Sequence, residues 1–181
     1  MQASTLPALA ASLLLAASTV TAQTVTAETE ATTGSHLETA TFSMYCYWTG
    51  EATLGRVDGV VASRIGHWGG AEIVQVDFDP EKTHVGELSQ ALKKQRSFYA
   101  LISPDATQKR AASDYLEPGD IDTRSGKPRF IEPKHSLRTR NPQLLQLDLS
   151  EQQAIALNSW SYFGGAMPDV LTAEQKQRLG N

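Results

Sequence analysis

Two β-type runs joined by a double glycine constrain this chain more than any other feature. Residues 60–65, Val-Val-Ala-Ser-Arg-Ile, read as extended structure, and residues 73–78, Ile-Val-Gln-Val-Asp-Phe, alternate with a period of two. Between them stands Gly69-Gly70, the pair that a two-residue hairpin turn prefers because both central positions need positive φ. Val74, Val76 and Phe78 share one face of the second run, Ile73 takes the other, and Asp79-Pro80 ends it.

The flanking segments extend the pattern on both sides. Residues 40–45 alternate as a strand, and residues 46–57 carry Tyr47, Leu54 and Val57 as the apolar positions of a helix. Asp58-Gly59 is a tight turn into the hairpin. Residues 84–94 place Val85, Leu88 and Leu92 at helical spacing, and residues 98–102 are a fourth strand. The order strand-helix-strand-strand-helix-strand predicts an α/β (α+β) fold with a ferredoxin-like, split βαβ core over residues 38–115. Residues 116–181 are expected to form a partly helical extension packed on that domain. Residues 105–115 read as a surface helix with an Asp105 N-cap, and residues 116–141, rich in Pro, Gly and charge, as an irregular wrap. Ser150 and Thr172 each precede a Gln by three positions, the pattern of a helix start. They predict short helices over 150–160 and 172–179, and residues 161–169 are expected to pack over the core rather than to edge the site.

Chain length and charge narrow the function classes. At 181 residues there is room for one domain with a real core and appendages. A net charge of −4 argues against nucleic acid or an anionic membrane surface as partner. Residues 6–18 are rich in Ala and Leu and end in a Thr-Val-Thr-Ala of the small-residue cleavage type. We therefore expect a signal peptide over 1–22, a flexible segment over 23–37 and export to a bacterial periplasm or beyond. The apolar run is far shorter than the roughly 20 residues of a membrane span.

Cys46, the single cysteine, follows the first strand at the start of the first helix. A helix N-terminus carries unpaired amides and partial positive charge, which favours a thiolate. Tyr47 and Trp48 can wall a small apolar pocket, and Glu51 or another nearby acid can supply a proton. The alternative is a buried cysteine serving as a small hydrophobe. One thiol rules out an internal disulfide, and without a Cys/His cluster no metal site is expected. His67 is expected to pack at a strand end. In an exported protein, a lone thiol is better explained by chemistry than by packing, because it invites oxidation.

Four pieces in order carry a family resemblance: Cys46-Tyr47-Trp48 with Glu51, then Gly59-Val60-Val61, then Gly66-His67-Trp68-Gly69-Gly70, then Ala71-Glu72-Ile73-Val74-Gln75-Val76-Asp77-Phe78-Asp79-Pro80. Together they resemble the A-type peptide methionine sulfoxide reductases, over about residues 40–115. The resemblance implies the same α/β core, Cys46 as nucleophile, Glu72 as proton donor, Glu51 fixing the helix start or the hydrogen bonds of the site, and Tyr47 and Trp48 caging the substrate methyl. For proton donation Glu72 should be partly buried. The substrate implied is methionine S-sulfoxide, in proteins or free, with no cofactor. A Cys46 sulfenic acid would be recycled by an external thiol or a thioredoxin-type reductant, since no resolving cysteine exists. The chain departs from the family in three ways. Met44 and Tyr45 replace two glycines before the cysteine. The loop after the double glycine, with its active-site Tyr and a His, is missing, and Trp68 is placed to close the pocket there. A later Asn-His-Asp-Pro segment is cut back. These departures leave a second class open, an exported scaffold that senses oxidation or binds a partner through Cys46. A one-cysteine peroxidase lacks an identifiable Thr- or Arg-supported peroxide site.

Overall fold

Gly69 and Gly70 sit at φ +57° and +83°, the pair of positive angles that closes a tight hairpin between β2 (Val60–Trp68) and β3 (Ala71–Phe78). The computed structural model describes residues 36–180, so the signal peptide and most of the flexible segment expected above lie outside the described residues. Around the hairpin stand β1 (Glu38–Met44), α1 (Tyr47–Leu54), α2 (Val85–Lys94) and β4 (Phe98–Ile102), in the order the sequence predicts. β3 lies between β1 and β2 and is antiparallel to both, while β4 pairs antiparallel with the other edge of β1. This is the split βαβ topology of a ferredoxin-like α+β fold.

Register decides which residues enter the core. Phe42 pairs with Val74 and Ala40 with Val76, while Ile65 faces Val74 from β2. That face packs against Leu54 of α1 and against Val85, Leu88 and Leu92 of α2. Each large apolar side chain so enclosed contributes about 1.5–3 kcal/mol. Close approach of α1 to β1 needs Gly50, because a Cβ there would stand 2.0 Å from the Met44 sulfur. Met44 thus fills the space that the absence of a side chain at Gly50 opens. Tyr45 turns the other way, 71% exposed and stacked on Tyr99 with ring centres 5.1 Å apart. The two bulky residues before the cysteine are therefore directed one into the core and one into solvent.

The later segments follow local signals where these exist. α3 (Ala106–Ala112) is capped by Asp105, whose carboxylate accepts from the Gln108 amide. α5 (Glu151–Phe163) and α6 (Ala173–Leu179) begin at Ser150 and Thr172 in full capping boxes. Residues 116–141 depart from the irregular wrap expected of them. They supply β5 (Ile121–Asp122), parallel to β4, and β6 (Arg129–Ile131), antiparallel to β2, and then α4 (His135–Arg140). The sheet order becomes β5-β4-β1-β3-β2-β6. Strands of two and three residues are too short to carry a period, and they exist because the edges of β4 and β2 offer unpaired backbone groups. α5 lies against α1 and β2, and a second apolar cluster of Leu137, Leu144, Leu147, Leu157 and Leu171 holds the extension together.

Candidate active site

Cys46 is the N-cap of α1. Its backbone is extended, and its carbonyl accepts from the Gly50 amide at 3.0 Å and from the Ser97 hydroxyl at 3.3 Å. One carbonyl is thus held both by the helix and by Ser97. The half-buried side chain makes no capping bond, so Sγ is available. The N-terminal amides of the helix favour negative charge at this position.

The register of the sheet brings Glu72 to the same place. It is the second residue of β3, opposite Met44 on β1 and His67 on β2, on the face that α1 covers. Its Oε2 accepts from the Tyr47 N–H at 2.8 Å, so the carboxylate occupies the first turn of α1, one residue from the thiol. Glu72 is half-buried. Among the described residues no hydrogen bond occupies Oε1.

Tyr47, next to this pair, belongs to a cluster of rings. The Tyr47 ring stands edge-on to Trp48 at 5.8 Å and 70°, and to His67 at 5.5 Å and 89°. Burial pushes the Tyr47 phenol above its ordinary value, and the neighbouring Glu72 and Cys46 charges push it the same way, so it stays a protonated donor. Trp48, 39% exposed, is stacked face to face on His135, with 3.7 Å between ring centres and 4° between planes. The His67 Nδ1 is buried and has no hydrogen-bond partner among the described residues.

Two other residues of the expected site stand apart. Glu51 is fully buried, and both of its oxygens are occupied. Oε1 accepts from the Ser63 hydroxyl at 3.0 Å, and Oε2 from the Lys134 N–H at 2.9 Å and the Asn158 side-chain amide at 3.2 Å. The Lys134 ammonium lies 3.6 Å from Oε1. Burial pushes this carboxyl up, and the Lys134 charge with the hydrogen bonds from Ser63 and Lys134 only partly pulls it back. Glu51 therefore joins α1 to β2, α4 and α5, and it is not placed to hand a proton to Cys46. Trp68 follows His67 on β2 and so is directed to the opposite face of the sheet. Its indole N–H donates to the Ser125 carbonyl at 2.9 Å, and its own carbonyl accepts from Arg124. His67, not Trp68, stands with Tyr47.

Sequence reasoning placed His67 only as strand-end packing and did not single out His135, Lys134 or Asn158. The last three come from segments without a distinguishing local pattern, far along the chain from Cys46. A groove of about 450 Å³ lined by Arg56, Gln90, Lys94 and Phe163 among others lies beyond the C-terminal end of α1 and contains none of the site residues. Among the described residues there is no cluster of His, Cys, Asp and Glu able to hold a metal ion, and no helix is long and apolar enough to cross a membrane.

A thiol at a helix N-cap, a carboxylate on the first amide of that helix and an aromatic wall define a thiol site on a split βαβ sheet. No family model matches the chain. It is similar to proteins named peptide methionine sulfoxide reductase MsrA. The one from Methanothermobacter thermautotrophicus is 35% identical over 71 residues, covering 30% of this chain and 42% of that protein. The one from Geobacter metallireducens is 38% identical over 69 residues, 29% of this chain and 43% of that protein. The one from Thermoactinomyces vulgaris is 35% identical over 66 residues, 27% of this chain and 54% of that protein. The chain is thus a distant, MsrA-like relative and spans about half or less of the length of these proteins.

Proposed function

We propose that this chain reduces methionine S-sulfoxide with Cys46 as nucleophile and an external thiol as reductant. The observation that carries the reading is the 2.8 Å bond from the Tyr47 N–H to Glu72 Oε2, which holds a carboxylate on the first amide of the helix that Cys46 caps. Similarity to MsrA proteins supplies the substrate class.

The Cys46 thiol gives its proton to Glu72, and the thiolate attacks the sulfoxide sulfur. Glu72 passes that proton to the sulfoxide oxygen as the sulfur-oxygen bond of the substrate breaks, and the Tyr47 hydroxyl is a second donor within the same wall. The released hydroxide, or a water that loses a proton to it, attacks Cys46 Sγ, the new bond between Sγ and the substrate sulfur breaks, and the substrate leaves as the thioether with Cys46 as a sulfenic acid. A first external thiol then forms a mixed disulfide with Cys46 and releases water, and a second regenerates the thiol as the external pair becomes a disulfide. Trp48 and Tyr47 enclose the methyl group, so that its burial contributes to binding.

A single-turnover experiment tests this reading without the reductant. Incubation with methionine sulfoxide should yield one equivalent of methionine and a Cys46 that reacts with a sulfenic-acid probe, both seen by mass spectrometry. Methionine formation without oxidation of Cys46 would refute the thiol mechanism.

A further inference from the structure

Trp48 and Glu51 lie three residues apart on α1 and so face the same side of the helix. Consecutive residues of the extension grip both. The His135 ring covers the Trp48 indole at 3.7 Å, nearly parallel to it. Lys134, 5% exposed, donates its N–H to Glu51 and its ammonium to the Ser63 carbonyl at 2.9 Å and the Ser63 hydroxyl at 3.0 Å. Lys134 takes a left-handed conformation, φ 61° and ψ 42°, and caps α4 without a side-chain bond. The cap comes from elsewhere: Asn158 of α5 accepts from the Leu137 N–H at 3.0 Å while donating to Glu51. The start of α4 is therefore fixed to the buried Glu51 from two directions. A non-glycine residue in that conformation persists where its surroundings over-determine it.

We infer that His135 is a specificity-determining residue, the wall that closes one face of the Trp48 cage, and that Lys134 and Glu51 are its positioning residues. The inference rests on the proposed sulfoxide site and adds to it the extension as a working part. With His135 in place, the indole offers one face to a substrate, which limits the cage to a small group such as a methyl. A carboxylate on the helix of the nucleophile then acts on the reaction through α4, without touching substrate.

Cys46 is the only thiol in the chain, so alkylation reports access to this site without reference to turnover. Rates of labelling by N-ethylmaleimide and by the bulkier N-benzylmaleimide are compared for wild type, His135→Ala and His135→Phe. Wild type should favour the smaller reagent. His135→Ala should lose that preference by about tenfold, and His135→Phe, which keeps a flat ring over Trp48, should retain it. Lys134→Met should move toward His135→Ala. In the reductase assay, His135→Ala should raise KM for methionine sulfoxide more than it lowers kcat and should improve the use of ethionine sulfoxide. A size preference unchanged by His135→Ala overturns the inference whether or not the protein is a reductase. Inactivity of the wild type with the alkylation pattern intact would refute the reductase reading alone.

Discussion

Lys134→Met should be among the most costly single substitutions in this chain, and its cost should depend on pH. Glu51 is 0% exposed, and Lys134 Nζ, 3.6 Å from Oε1, is the only cation bonded or paired to it among the described residues. Methionine keeps the stem and removes the charge, while the Lys134 N–H, Ser63 and Asn158 still donate to Glu51. An uncompensated charge remains in the interior, a loss of about 3–5 kcal/mol at neutral pH. The second partner of Lys134, Glu151, is 49% exposed, returns to water and adds little. Burial already raises the Glu51 carboxyl, and loss of the ammonium raises it further. An acid raised in the folded state contributes stability that is fully present below its unfolded value, about 4.3, and lost as pH rises through the folded one. The difference between variant and wild type should therefore be largest near pH 7 and shrink toward pH 4, where Glu51 is protonated. Urea unfolding from pH 4 to 8 should show a midpoint lower by about 2 M at pH 7 with the slope unchanged. Adding Glu51→Gln should recover most of the loss. A penalty that is independent of pH, or a variant as stable as wild type at pH 7, would show that Lys134 does not neutralise a buried Glu51 charge.

Three further outcomes follow from the geometry. Cys46→Ser should abolish sulfoxide reduction while leaving the unfolding midpoint nearly unchanged, because Sγ makes no capping bond. Glu72→Gln should lower kcat about a hundredfold or more, the scale of a positioned proton donor, with circular dichroism confirming the fold. Gly50→Ala should destabilise the protein by about 1–3 kcal/mol in urea unfolding, since its Cβ would stand 2.0 Å from the Met44 sulfur; shortening Met44 to Ala in the same chain should make the second change nearly free.

Legibility differed sharply between elements and contacts. The hairpin, the four core strands and the capped helices carry their own periods and turn residues, and these local preferences agree with the sheet that forms. β5 and β6 are too short to leave any period, and Lys134 carries no sequence sign of a left-handed cap. In the site, the helix start marks Cys46 locally, whereas the family resemblance alone joins Glu72 to it, because the register that brings β3 beside α1 is a long-range feature. Glu51 could not be placed from its spacing to Cys46, because five residues of helix turn a side chain about 140° around the axis. That rotation carries it from the thiol to the extension. Trp68 lies beside His67 in sequence, but strand alternation sends the two to opposite faces. The exchange of a glycine for Met44 also makes sense only in three dimensions, where the lost space reappears at Gly50.

Everything proposed for Cys46 depends on turnover of a sulfoxide at this thiol site. Purified protein given racemic methionine sulfoxide and dithiothreitol, with the stereoisomers separated by chiral chromatography, tests it directly. The S-sulfoxide should disappear, methionine should accumulate in equal amount, and Cys46→Ser should stop both. Persistence of both stereoisomers with every thiol reductant would contradict turnover and leave Cys46 a sensing or binding thiol.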